Sequence, residues 1–399
     1  MSAATLQSLD HTSLRHILEQ HAQYRIGKMG GRVANLAYID LTEINLEGVD
    51  LSDANLTGAR LYGASLRDAN LMRANLYGAD LRNADLRFAR LDKADLRGAS
   101  LRGANMTAAS LIKADLREGM IAFKDDKQGL RLMKHEKRPG ELDYAILTGA
   151  DLSGARLNGT LAVSTDFHDA NLTGAIMSQA KLRKANLSGA NLTGADMAGA
   201  DVTGADMSGA VMVNTETNGC NLREADTTGV LGPPVNVYID DHPLIELIDL
   251  HEEWAKTSGA KSTRQILPGV DFRVLGPLQK RVLTTLDAEN GVFFGLDMRG
   301  IEMQGANLVN ADLRRCNLSG ADLRGARLIG ARLNHADLTN ANLGPLELGG
   351  GRMMRTDLSR SNLDYANLSN AILVRARMLE ASLQHLKDKG CNYTLAERA

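Results

Sequence analysis

Few residues of this 399-residue chain are spaced for chemistry, and each such group also has a simpler structural reading. His251-Glu252-Glu253-Trp254 starts like the zinc motif H-E-x-x-H, in which two histidines one turn apart share a helix face. No second histidine follows here and no third ligand is in view, so a structural position on a helix is expected. Cys220 and Cys316 fall where a repeating pattern otherwise places alanine, and read as buried substitutes for it; Cys391 lies in the tail. Residues 346–354, LELGGGRMM, contain a glycine run, but no Lys-Ser/Thr opening a helix follows, as a phosphate-cradling loop requires. A bulge or a distorted turn of the chain is expected there. The N-x-S/T matches at Asn55, Asn171, Asn186, Asn191, Asn317 and Asn367 are by-products of the same repeat. No catalytic, cofactor-binding or metal-binding residue is assigned, and no cofactor is expected.

The strongest local charge cluster is Lys124, Lys127, Arg131, Lys134, Lys137 and Arg138, diluted by Asp125, Asp126, Glu136 and Glu141. The apolar runs MIAF and LRLM flank KDDKQG, the pattern of a β-hairpin with a solvated tip. Loops on a rigid body carry recognition, so these six basic residues are the candidate interaction surface.

Composition narrows the classes. Net charge is −2 and the pI is near 6.5, so no global field favours nucleic acid or an acidic membrane. Aromatics are only 4%, too few for an ordinary aromatic core or for base stacking. Three widely spaced cysteines fit a reducing compartment. The N-terminal stretch has no unbroken apolar core of a signal peptide, and nothing approaches the ~18 apolar residues of a membrane helix. A cytoplasmic location without membrane is expected.

What must position every one of these groups is a fivefold period. A large residue occupies Leu36, Leu41 and every fifth place to Leu116, with Met106 the single non-leucine. Two places earlier stands a small or β-branched residue, alanine throughout from Ala54 to Ala114. Five residues of α-helix overshoot a full turn by ~140°, which would scatter the leucines round the cylinder. A flat strand would send successive leucines to opposite faces. The pattern works if the chain turns a corner once per repeat, so that every leucine points at one axis. Asn, Asp, Gly, Ser and Thr fill the other places and suit corners.

The stretch ADLRNADLRFARLDKADLRGASL resembles the A(D/N)LXX pattern of pentapeptide-repeat proteins. The resemblance implies an all-β solenoid, a right-handed quadrilateral β-helix with four pentapeptides per coil. It also implies that a rod end could carry a homodimer contact, and that some members mimic DNA against a type II topoisomerase.

Runs with this period extend over 36–116, 147–222 and 298–383, the second and third less regular. The expected organisation is a helical cap at 1–30, then a first β-helix over 31–230 with a hairpin insertion at 117–144. A linker and second helical head at 231–290 precede a second β-helix at 291–383 and a C-terminal helical cap or tail at 384–399. The second head follows from a match: Leu14, Ile17, Leu18, His21 and Tyr24 align with Leu244, Leu247, Ile248, His251 and Trp254, one helical face used twice. Helices laid over the ends would cover the open edge that any β-helix presents.

A coil filled with leucine and alanine leaves no pocket for a substrate, and neither insertion gathers acids, bases and nucleophiles. The expectation is a non-enzymatic rigid scaffold or adaptor that binds an unknown protein partner through its outer faces and projecting loop, with neither small-molecule substrate nor nucleic acid. The alternative is a DNA-mimicking modulator of DNA gyrase, for which the more acidic second run is the best candidate, interrupted by Lys181, Arg183 and Lys184.

Overall fold

The computed structural model describes residues 6–125 and 129–398, with side chains placed outside Gln7 and 120–136. The chain forms two compact units, Met1–Pro233 and Pro234–Ala399.

In the first unit the backbone returns beside itself every twenty residues. Asn35 bridges Asn55, then Asn75, Asp95 and Asp115 in one parallel ladder, and three further ladders pass through Asp40, Asn45 and Asp50. Each large residue donates its N–H to the coil above, as Leu36 does to Asn55 O at 2.7 Å, and each ladder residue donates to the coil below, as Asn55 does to Ala34 O at 2.9 Å. Four pentapeptides therefore make one turn of a β-coil. Between ladders lies a tight corner, closed by bonds such as Ala54 N to Leu51 O at 3.1 Å. The last residue of the repeat takes φ near +60° there, so Gly58 and Gly63 fit without strain, while Phe88 and Lys93 adopt the same angle at a cost. The Leu and Ala positions meet inside, from Leu51 to Ala210, almost all fully buried. This dry core stands where a globular protein would place aromatics.

A short strand, β1 (Gln7–Ser8), pairs in parallel with β2 (Ile39–Asp40), and helix α1 (His11–Arg25) lies between them in sequence. Asp10 caps the helix by accepting Ser13 N at 2.8 Å. Leu14 and His21 are its buried face, and Arg25 pairs with Asp53 at 2.7 Å. The hairpin expected from sequence is present as β3 (Gly119–Asp125) and β4 (Gly129–Arg138). Ser100 pairs with Glu141 across it, so the first and second runs are one continuous coil.

The second unit repeats the plan. Its head holds a small hairpin, β5 (Tyr238–Ile239) with β6 (His242–Pro243), and helix α2 (Leu244–Lys256). The expected coil boundary at 291 is too late, because the ladder already starts where Ile266 bridges Asp287. Leu267, Phe272, Leu278 and Leu283 fill the first interior slots, and a 3-10 turn (Phe272–Leu275) with one extra residue breaks the period that would have revealed them. Residues 346–354 form a second looped-out hairpin, β7 (Leu346–Glu347) with β8 (Met353–Met354), beyond which Arg327 bridges Asp357 and the coil resumes.

The C-terminal helix expected over 384–399 does not form. The coil continues, and β9 (Arg377–Met378) pairs in parallel with β10 (Glu397–Arg398). Asp388, Tyr393 and Arg398 occupy the leucine slots of this last coil, which hid the period from a reading keyed to apolar residues. Tyr393 donates to Asp388 Oδ2 at 3.1 Å, and the Arg398 guanidinium lies 3.3 Å over the Tyr393 ring. Gly390, which reads as a helix stop, sits at a coil corner with φ +76°.

Candidate interaction surface

With the interior filled, the surfaces the coils present are the outer ladders and the looped-out hairpins. Aspartate at a ladder position and arginine two residues on point the same way across the corner. The result is a two-pronged clamp inside one repeat: Arg82 on Asp80, Arg97 on Asp95, Arg117 on Asp115, Arg299 on Asp297 and Arg324 on Asp322, each with an Nη2 to Oδ2 distance of 2.6–2.7 Å. The Arg87 guanidinium holds the Asp85 carboxyl below the usual carboxylate range, and Arg299 does the same for Asp297. The signal for this clamp, Asp-Leu-Arg, was in the sequence, and its spacing alone places both ends on one face. Arg97 and Arg82 also lie over Tyr77 and Tyr62 of the coil below.

One clamp is buried. Asp312 and Arg314 bond at 2.8 Å with 2% and 3% of their side chains exposed, and Arg332 reaches Asp312 from the next coil at 2.9 Å. In the coils after the hairpin, Asp151, Asp166, Asp196, Asp206 and Asp226 are held instead by Ser, Thr, Asn or backbone N–H groups. None of these five forms an ion pair among the described residues.

Of the six basic residues singled out by sequence, Lys137 and Arg138 are described with their side chains. Lys137 pairs with Glu118 at 2.7 Å, and Arg138 with Glu141 at 3.3 Å, so both stand at the hairpin base already partnered. Lys124 lies on β3 and Arg131 and Lys134 on β4, with only their backbone described. Lys127 lies outside the described residues. Beside the base, Arg97, Arg117, Glu118, Asn158, Ser178 and Gln179 line an open cavity of about 500 Å³. Both arginines there are spent on their own aspartates.

The other chemical candidates resolve structurally. His251 is buried; its Nδ1 accepts the N–H of Gln265 at 3.0 Å and its Nε2 faces the Thr284 carbonyl at 3.1 Å. Glu252 pairs with Arg281 at 2.8 Å and Lys256 at 2.8 Å. Cys316 fills an alanine slot, fully buried, where burial pushes its thiol pKa up and Sγ donates to Phe293 O at 2.9 Å. Burial also raises Cys220 and Cys391, so none is an activated thiolate. No group of His, Cys, Asp and Glu among the described residues is arranged to hold a metal ion. No helix among them is long and apolar enough to cross a membrane.

The sequence profile described as Pentapeptide repeats matches in eight copies, over 34–68, 50–87, 84–118, 141–179, 177–209, 190–226, 295–344 and 352–385, more than half of the chain. The chain belongs to the pentapeptide-repeat family. No curated protein matches this pentapeptide-repeat chain. Among solved structures it is similar to HetL, a pentapeptide repeat protein involved in heterocyst differentiation regulation in the cyanobacterium Nostoc, at 23% identity, covering 94% of this chain and 92% of HetL, with a TM-score of 0.20. It is similar to Rfr23 of the cyanobacterium Cyanothece at 24% identity, covering 35% of this chain and 91% of Rfr23, with a TM-score of 0.25. It is also similar to QnrB1, a plasmid-mediated fluoroquinolone resistance protein, at 19% identity over 49% of this chain and 88% of QnrB1, with a TM-score of 0.28.

Proposed function

We propose that this pentapeptide-repeat protein is a non-enzymatic scaffold that binds a partner protein through its outer faces and the β3–β4 hairpin. The observation that carries this reading is the closed interior of the coils, where buried leucine and alanine leave no space. Regular outer ladders offer flat, preorganised polar faces, and the hairpin supplies the projection that selects among partners. In the same reading the coils are right-handed and the protein is cytoplasmic. Helices α1 and α2 cover coil edges, and a homodimer through a rod end remains open to test by sedimentation. The test of function is capture from the native host with full-length protein and with a variant in which residues 119–138 are replaced by a short glycine linker. A protein retained by the first and lost from the second supports the reading; identical binding profiles remove the hairpin from it.

A second reading is supported by the five aspartates of the later coils that pair with no cation. Asp166, Asp206 and Asp226 stand on one ladder, and carboxylates without a cation along one face suit a DNA-mimicking modulator of DNA gyrase. Supercoiling by purified gyrase, with and without fluoroquinolone, decides this: no inhibition and no drug protection at micromolar protein eliminates it.

A further inference from the structure

The two heads correspond position by position, with Leu14 matching Leu244 and His21 matching His251, yet they differ just before the helix. In the first unit that segment is extended: β1 lies parallel on the outer edge of the first coil at Ile39 and Asp40, and Leu9 packs on the core. In the second unit the matching residues Val237 and Tyr238 form no bridge to the edge, although Val237 and Ile239 still pack against the core. Asp240 and Asp241, with φ of 47° and 65°, reverse the chain, so that Tyr238 and Ile239 pair with Pro243 and His242. The coil edge at Val270 and Asp271, which matches Ile39 and Asp40, bears no strand on that side among the described residues. Asp271 bridges Val292 on the other side only.

A groove opens in the same head, between the β5–β6 hairpin, helix α2 and the 3-10 turn that follows Asp271. It has a volume of about 330 Å³ and is lined by Val237, Tyr238, Pro243, Ile245, Val274 and Leu275 among others. Two of its walls change character between the heads. Ser8 and Arg15 of the first correspond to Tyr238 and Ile245 of the second, which are 64% and 43% exposed. Neighbouring Val235 is 72% exposed. Water-facing apolar side chains around an unpaired strand edge mark a place meant to be covered.

We propose that this groove takes an extended segment of a partner protein, two polar residues flanked by leucines, added as a parallel strand on Val270 and Asp271. The occupant's chemistry is argued from the chain itself, because the matching edge of the first unit is filled by a parallel strand whose run is Leu6-Gln7-Ser8-Leu9. Main-chain hydrogen bonds hold such a strand, and the pocket reads its apolar side chains. The inference rests on the reading of the protein as a scaffold and gives it a second docking place, independent of the β3–β4 hairpin.

The test is a fluorescence-anisotropy titration of full-length protein with a labelled synthetic peptide, ATLQSLD, the sequence of residues 4–10. A control peptide carries proline in place of the central glutamine and serine. Saturable binding of the first and none of the control is expected. Ile245→Arg and Tyr238→Ser, which restore the residues of the first head, should each weaken binding tenfold or more with unchanged thermal melts. Absence of saturable binding, or equal binding by both variants, overturns the groove and leaves the hairpin reading intact. Concentration-dependent dimerisation in sedimentation that Ile245→Arg abolishes, with no peptide bound, shows that a second copy covers the groove and also overturns the proposal.

Discussion

His251 of helix α2 accepts the backbone N–H of Gln265 at 3.0 Å, and His21 of helix α1 accepts that of Ala34 at the same distance. In both heads a histidine thus holds the residue that opens the coil. Only neutral imidazole offers the accepting lone pair, and the Thr284 carbonyl next to Nε2 of His251 selects the tautomer protonated there. Burial pulls both pKa values below the ordinary 6.5, against the raising influence of Asp50 on His21 and of the Thr284 carbonyl on His251. The unfolded chain takes up these protons first on acidification. The stabilisation is therefore complete above pH ~6.5 and is lost as pH falls through the depressed folded values. Thermal melts between pH 7.5 and 5 should show the melting temperature falling, and His21→Leu with His251→Leu should flatten that slope while costing about 1–3 kcal/mol each at neutral pH.

The buried clamp of the second unit should behave unlike the exposed ones. Asp312→Ala leaves Arg314 buried without its carboxylate and is expected to cost about 3–5 kcal/mol. Asp297→Ala, which removes the exposed partner of Arg299, should cost no more than about 1 kcal/mol. Urea denaturation of both variants checks the contrast; equal costs would mean that burial of the Asp312 site is not what sets its value.

Inside and outside alternate sharply along each repeat. Leu86 is fully buried, so Leu86→Asp places an unpaired charge in the stack and should unfold the first unit. Its neighbour Arg87 is clamped on Asp85 at the surface, and Arg87→Ala should change stability by only about 0.5 kcal/mol. Circular dichroism melts that reversed this order would invert the assignment of faces.

The β7–β8 hairpin rests on a coil corner without a side chain. A Cβ on Gly325 would meet Leu346 Cβ at 2.8 Å and the Met354 carbonyl at 3.2 Å, whereas one on Gly320 would meet nothing within 4 Å. Both glycines have φ near +65°. Gly320→Ala therefore reports the backbone penalty alone, about 1 kcal/mol, and Gly325→Ala should cost at least ~1 kcal/mol more by lifting the hairpin. Limited proteolysis near Gly350 should accelerate for Gly325→Ala and not for Gly320→Ala.

The coil was legible in the sequence because one rule, a leucine every fifth residue with alanine two before it, is enforced by a shared axis. It failed where other side chains do the same job. Asp388, Tyr393 and Arg398 close the last coil with polar contacts, and Phe272 with its extra residue opens the second coil out of phase. The matched heads were visible through His21 and His251, but the bonds that make them matter join residues more than ten apart and have no local pattern. The Asp-Leu-Arg clamp could have been read, since both ends lie within one repeat. The groove of the second head could not, because it depends on a strand that the first head has and the second lacks.

Two excursions leave the ladders undisturbed. Ser100 still meets Glu141 across β3 and β4, and Arg327 still meets Asp357 across β7 and β8. Each departs and rejoins at a corner, where neither the axis nor the neighbouring coil registers how much chain has passed. Such corners are natural ports: a foreign loop, tag or epitope inserted there would be displayed at a fixed height on the coil, with spacing set in steps of ~4.8 Å for each coil of four pentapeptides.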